Sequence, residues 1–152
     1  RLLVSQCGFD DKIKCVLSNG LQSVDDEFDT VIIAGMGGEL IADILSKAEN
    51  ITSKNIILNP MTHPEIARKW LFDNGFEITK DIVVADGRHH YSVFSAEYVG
   101  NVGKKKQSDY YLGSITDFSD TEYFEHLLVY LKNKQKSGLD LADLIKTIEE
   151  KL

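Results

Sequence analysis

Apolar positions follow two rhythms along this chain, first an alternating or continuous one and then a helical one. Lys12 to Leu17 places Ile13, Cys15 and Leu17 on one face of a short predicted strand, which Asn19-Gly20 ends as a turn. Asp25-Asp26-Glu27 reads as a solvated acidic loop. The run Phe28 to Ala34 is almost continuously apolar, the pattern of a parallel strand covered on both faces. Gly35-Met36-Gly37-Gly38 is expected to break it, and a helix starts near Glu39 with Leu40, Ile41, Ile44 and Leu45 as its apolar stripe. The pattern then repeats. Asn55 to Leu58 predicts a strand ending in Asn59-Pro60, and His63-Pro64 opens a helix that turns Ile66, Ala67, Trp70 and Leu71 inward. Asn74-Gly75 supplies its stop. Phe76 to Val84 and His90 to Val99 predict an antiparallel hairpin joined through Ala85-Asp86-Gly87-Arg88-His89.

This alternation argues for an α/β unit over residues 1–100, with a mostly parallel sheet and an antiparallel end. Residues 101–118 carry Lys104-Lys105-Lys106 and few apolar positions, and read as a linker. Residues 119–152 return to helical spacing. Phe124, Leu127, Leu128 and Leu131 form one stripe, and Leu141, Leu144, Ile145, Ile148 and Leu152 a second. Neither stripe can be buried alone, so a coiled-coil-like helical hairpin is expected.

Composition adds little to this frame. The 152 residues are 43% hydrophobic and 27% charged, which is globular rather than disordered. No apolar run approaches the ~20 residues of a membrane span. Cys7 and Cys15 lack metal-type spacing, so the setting expected is a reduced cytoplasm, with no metal and no membrane. The net charge of −7 argues weakly against a nucleic-acid partner, although local basic patches occur on acidic proteins. The chain opens Arg1-Leu2-Leu3-Val4, not with Met, and is read as a piece of a longer protein.

The glycine cluster is the strongest chemical signal. Glycine permits positive φ and close backbone approach, and the carboxyl end of a strand is where open α/β sheets bind ligands. A nicotinamide fingerprint does not fit, because Leu40 stands where a further glycine is needed and Asn59 where an acid is expected. Asn59-Pro60 would lie beside the cluster at the next strand's end, where its carbonyls could accept from a base amino group. The bland alternative for each is an unoccupied turn. His63, His89 and His90 match no ligand spacing, and are expected to face solvent. Asp86, Arg88 and Tyr91 suggest no catalytic arrangement. The lysine run reads as a solvated linker or as a phosphate contact.

The run Asp29-Thr30-Val31-Ile32-Ile33-Ala34-Gly35-Met36-Gly37-Gly38-Glu39-Leu40-Ile41-Ala42-Asp43-Ile44-Leu45 resembles the TrmK family, the bacterial tRNA (adenine(22)-N1)-methyltransferases. Leu58-Asn59-Pro60-Met61 and Asn74-Gly75-Phe76-Glu77-Ile78 are similar to the same family, as is the helical tail. The resemblance implies a Rossmann-like class I methyltransferase sheet, S-adenosylmethionine as cofactor, tRNA as partner, and methylation of adenine N1. It implies cofactor contact for Ser18, Asn19, Gly20 and Leu21, and for Ala34, Gly35, Met36, Gly37 and Gly38. Asn59 and Pro60 become the candidate catalytic positions, with Asn59 where relatives carry glutamine. Arg88, Lys104, Lys105 and Lys106 become the candidate RNA contacts. The family's first two strands find no match here, so the 152 residues are expected to self-associate and to be inactive alone. The competing expectations are a cofactor-free protein-interaction module and a Rossmann-like methyltransferase of small molecules.

Overall fold

A computed structural model describes residues 2–24 and 27–152; Arg1 and the Asp25-Asp26 part of the acidic loop lie outside the described residues. After a short first helix, α1 (Leu2–Gln6), four strands, β1 (Thr30–Gly37), β2 (Asn55–Thr62), β3 (Phe76–Asp86) and β4 (His89–Tyr98), form one sheet in the order β1-β2-β4-β3. β1 and β2 are parallel, while β4 runs antiparallel to both β2 and β3. The chain is thus α/β with a mixed sheet, as the alternation of periods predicts.

One face of the sheet carries the core. Val31, Ile33, Ile56, Leu58, Phe94 and Ala96 pack against Ile41 and Leu45 of α2 (Gly38–Ser46) and Ala67 and Leu71 of α3 (Pro64–Asp73). Burying each Leu or Ile side chain contributes about 1.5–3 kcal/mol. Pro64 takes the first turn of α3, and Asn74-Gly75 ends it with Gly75 at φ 81°.

Three expectations need correction here. β1 is not covered on both faces: Ile32, pointing away from the core, is 69% exposed, because no helix among the described residues packs there. The glycines do not break β1 either, since it runs on through Gly37 and α2 begins at Gly38. Finally, residues 12–17 form no strand, and Leu17 is 97% exposed. A strand needs a neighbour to take its hydrogen bonds, and no described strand lies beside this segment.

Beyond the sheet, a short helix, α4 (Gln107–Leu112), forms inside the segment expected as linker. It packs with α5 (Thr121–Lys136) and α6 (Ala142–Glu149) around Tyr111, Leu112, Phe124, Leu128, Leu131, Leu141, Leu144 and Ile148. Asp120 caps α5 by accepting from the Tyr123 amide at 3.1 Å, and Lys134 and Lys136 occupy its last turn.

One buried ion pair fastens this tail to the sheet. Arg68 of α3 is fully buried and donates from Nε to Asp81 Oδ2 at 2.9 Å and from Nη2 to Asp81 Oδ1 at 3.2 Å. Its Nη1 reaches the carbonyl of Tyr111 at 3.0 Å, and Ser92 donates to Asp81 at 3.0 Å. Burial pushes the Asp81 carboxyl above its ordinary range, against the pull of the guanidinium. A fully buried charge survives only with partners of this kind.

Candidate active site

Parallel pairing brings the ends of β1 and β2 together. Ala34 stands level with Asn59, Met36 with Pro60, and Gly37 with Thr62. The register slips between Ala34 and Met36, leaving Gly35 as an extra residue at φ 78°, a conformation that glycine adopts without strain. A side chain at Gly35 would meet nothing within 4 Å, so its backbone is open at the carboxyl edge. Gly38 differs. A Cβ there would collide with the carbonyl oxygen of His63, so this glycine lets the start of α2 approach the β2–α3 turn. Residues 35–37 are therefore the accessible part of the cluster, and residue 38 is its buried support.

Asn59 completes this edge. Its Oδ1 is buried and has no hydrogen-bond partner, the sole such side-chain atom found among the described residues. An unmet buried acceptor costs about 1–3 kcal/mol, and a donor brought by a ligand would remove that cost. An open glycine backbone beside an unfilled acceptor, at the carboxyl ends of parallel strands, fits a bound cofactor and an amino-bearing substrate.

The remaining predicted residues are distributed elsewhere. Ser18 accepts from the Ser23 amide at 3.0 Å, and a Cβ on Gly20 would lie 3.0 Å from Ile44, well along α2. Leu21 lines a hollow with Phe28, Asn50 and Lys54, near the amino ends of β1 and β2. The structure does not bring Ser18–Leu21 to the edge that holds Gly35. Arg88 sits at the exposed tip of the β3–β4 hairpin, on the same side as the Asn59 edge. Lys105 lies over the Phe72 ring at 4.4 Å, near the opposite end of the hairpin, and Lys106 is the N-cap of α4. The tip and the lysines are separated by most of the length of β3, roughly 30 Å.

Next to Asn59-Pro60 the structure opens a cavity of about 370 Å³ that the sequence did not announce. Met61, Thr62 and His63 form one wall, and Tyr123, His126, Leu127 and Tyr130 of α5 the other. At its base Glu65 accepts from the Tyr130 hydroxyl at 2.6 Å and from Lys134 Nζ at 3.1 Å. Burial alone would raise the Glu65 carboxyl, but these donors hold it below its ordinary range. Burial and the Glu65 carboxylate push the Tyr130 phenol up to about 12. His63 Nδ1 lies 3.0 Å from that phenol oxygen.

The histidines correct a further expectation. His63 and His90 are not simply solvent-facing. His90 is 13% exposed, 2.7 Å from Asp120 Oδ2 and 3.2 Å from Glu122 Oε2. The acids come from the start of α5, its N-cap Asp120 and Glu122 in the first turn, thirty or more residues on, so local spacing could not reveal them. Only His89 is exposed as expected. The hydrogen bond to Asp120 raises the His90 imidazole above its ordinary value. A raised histidine stabilises fully below its unfolded value, about 6.5, and that contribution is lost as pH rises through the folded value. The His90→Gln variant should therefore lose this part of the pH dependence. Melting temperatures of both proteins across pH 5.5–8.5 test it, and parallel curves would refute the anchor.

Glu65, Tyr130, Lys134 and His126 were missed because their contacts span 65 to 69 positions or exist only across the cavity. The one available signal was the recurrence of polar and aromatic residues at 123, 126, 130 and 134, a second face of the same helix. Among the described residues no group of three His, Cys, Asp or Glu side chains is arranged to hold a metal, and no helix is long and apolar enough to cross a membrane.

The chain is similar to known proteins in both sequence and fold. The chain is 32% identical over 97 residues to the tRNA (adenine(22)-N(1))-methyltransferase of Bacillus subtilis (strain 168), covering 62% of this chain and 41% of that relative. Thus the match spans less than half of the curated relative's length. The structure superposes on Streptococcus pneumoniae Sp1610, solved in complex with S-adenosyl-L-methionine, with a TM-score of 0.79 and 27% identity, covering 98% of this chain and 72% of that one. A Streptococcus agalactiae protein of the NADB-Rossmann superfamily gives a TM-score of 0.78 at 27% identity, covering 97% and 71%. The family model for tRNA (adenine(22)-N(1))-methyltransferases matches residues 1–148, and the chain belongs to that family, TrmK.

Proposed function

We propose that the whole protein methylates N1 of an adenine in tRNA, using S-adenosylmethionine. The observation that carries this is the unfilled Asn59 acceptor, level with Ala34 at the open glycine edge. S-adenosylmethionine, when bound, supplies an electrophilic methyl group on its sulfonium. Adenine N1 has its own lone pair, so no strong base is required of the protein. The task of Ala34–Gly38 and Asn59-Pro60 is to hold the two reactants close and in line. Asn59 Oδ1 accepts from the exocyclic amino group, which becomes a better donor as positive charge spreads over the methylated base. Pro60 has no N–H and holds the preceding residue extended, keeping the amide aimed at the edge.

The Asn59→Ala variant tests the assignment. Turnover on tRNA should fall about tenfold or more, since a charge-stabilising contact is lost. Its melting temperature should not fall, because the buried acceptor leaves with the side chain. Detection of 1-methyladenosine in digested tRNA is the readout, and unchanged turnover would remove Asn59 from the mechanism.

Arg88 and Lys104, Lys105 and Lys106 are proposed phosphate contacts. Their separation along the hairpin means that they meet different parts of the RNA, with the helical tail docking its body. An adenine inside a folded tRNA must leave its stack to reach the edge. Contact of Ser18–Leu21 with the cofactor requires that turn to stand differently from its place in these 152 residues. The uncovered β1 edge and the exposed Ile32 support self-association of the 152 residues when isolated. A cytoplasmic location follows from the tRNA substrate.

A further inference from the structure

We propose that the cavity between the β2–α3 junction and α5 is a second base subsite, which takes a nucleobase neighbouring the adenine that is methylated. This rests on tRNA being the substrate. The cavity's position comes first. Its wall starts at Met61-Thr62, the two residues directly after Asn59-Pro60, and Thr62 is the register partner of Gly37. Three residue steps along the strand carry the chain from Asn59 to Thr62, about 10 Å, so a base in the cavity is within one splayed nucleotide of a base at Asn59.

The lining supports a base over a phosphate. At about 370 Å³ the space is in the range of small-molecule sites. Its walls are mainly rings and apolar groups, Tyr111, Tyr123, Tyr130, His126, Leu127 and Met61. The charged groups at its margin are already engaged. Glu65 is held by Tyr130 and Lys134, and His90 by Asp120 and Glu122. The cations at hand, Lys134 over the Tyr130 ring at 4.8 Å and His90, are each already paired with a carboxylate, so neither is offered free to a phosphate. His126 is different: it lines the cavity, is exposed, and makes no hydrogen bond or ring contact among the described residues. A free imidazole over an aromatic hollow is a stacking platform, and sequence-tolerant stacking of unpaired bases on such side chains is how looped RNA is held.

The test uses the whole protein, a fluorescein-labelled unmodified tRNA transcript, and saturating S-adenosylhomocysteine. Anisotropy gives tRNA affinity without depending on turnover, and calorimetry gives S-adenosylmethionine affinity separately. His126→Ala removes the free ring, and Leu127→Trp fills the cavity. Each should weaken tRNA binding about 5- to 150-fold, the range for loss of one stacked base, while cofactor affinity should stay unchanged. Wild-type tRNA affinity in both variants would overturn the subsite. So would an equal loss of cofactor affinity, which would make the cavity part of the cofactor site. If Leu127→Trp does not fold, the exposed position 126 decides alone. A wild-type protein that binds tRNA but never yields 1-methyladenosine would sink the proposed reaction and leave the subsite to the binding data. A wild type with no tRNA affinity would sink both.

Discussion

Replacing Arg68 with methionine is expected to lower the unfolding free energy by about 3–5 kcal/mol, the cost of leaving a buried charge without its partner. Asp81 is buried, and its two oxygens take bonds from Nε and Nη2 of the same guanidinium. Methionine keeps much of the volume but supplies no donors, so only Ser92 would remain to Asp81 among these side chains. The penalty should depend on pH. Burial already raises the Asp81 carboxyl, and without Arg68 it rises further, so the folded variant binds a proton that the unfolded chain releases near pH 4. Stability of the variant should therefore fall, relative to wild type, as pH rises above that value. Urea unfolding at pH 5 and pH 8 measures both effects, and equal penalties at the two values would contradict this account. Adding Asp81→Leu to the same chain should recover much of the loss, since the stranded carboxylate is then gone. The helical tail should report the damage as well. Arg68 Nη1 donates to the carbonyls of Tyr110 and Tyr111, so sheet and tail should stop unfolding together.

The second large effect is expected from Gly38→Ala. One methyl group ordinarily costs little at the start of a helix, and alanine is a better helix former than glycine. Here the added carbon would strike the His63 carbonyl oxygen, a backbone atom that cannot rotate aside. His63 is already held at φ 51°, a left-handed conformation unusual for a non-glycine residue, and its carbonyl accepts from the Ile66 amide at 3.0 Å. Relief requires moving the α2 start or the β2–α3 turn, for about 3 kcal/mol at the upper end of overpacking costs. That movement would also displace Thr62 and the edge beside Asn59, so substrate turnover should fall further than stability alone explains. Measuring turnover well below the melting transition separates the two. A variant with wild-type stability would show that the close approach does not exist in solution.

Much of the sheet was legible because strands and helices announce themselves through local periodicity. Val31, Ile33, Ile56 and Leu58 read as strand, and Ile41, Leu45, Ala67 and Leu71 as the stripes that cover them. Pro64 and Gly75 bounded α3 through φ preferences that belong to single residues. Residues 12–17 show where this fails. Their alternation is real, but a strand is completed by its neighbour, and the partner is not encoded in the strand.

What the amino-acid order determined by itself was the four strands of the sheet with the helices α2, α3, α5 and α6, the glycine edge with Asn59-Pro60 beside it, and the family. Each rests on residues close together in sequence. Tertiary structure alone decided the Arg68–Asp81 pair, the hold of Lys134 and Tyr130 on Glu65, the His90–Asp120 contact and the cavity under α5. These join residues 13 to 69 positions apart. Coulomb attraction and desolvation act across space, so a charge in the sequence carries no mark of the partner that folding will bring to it.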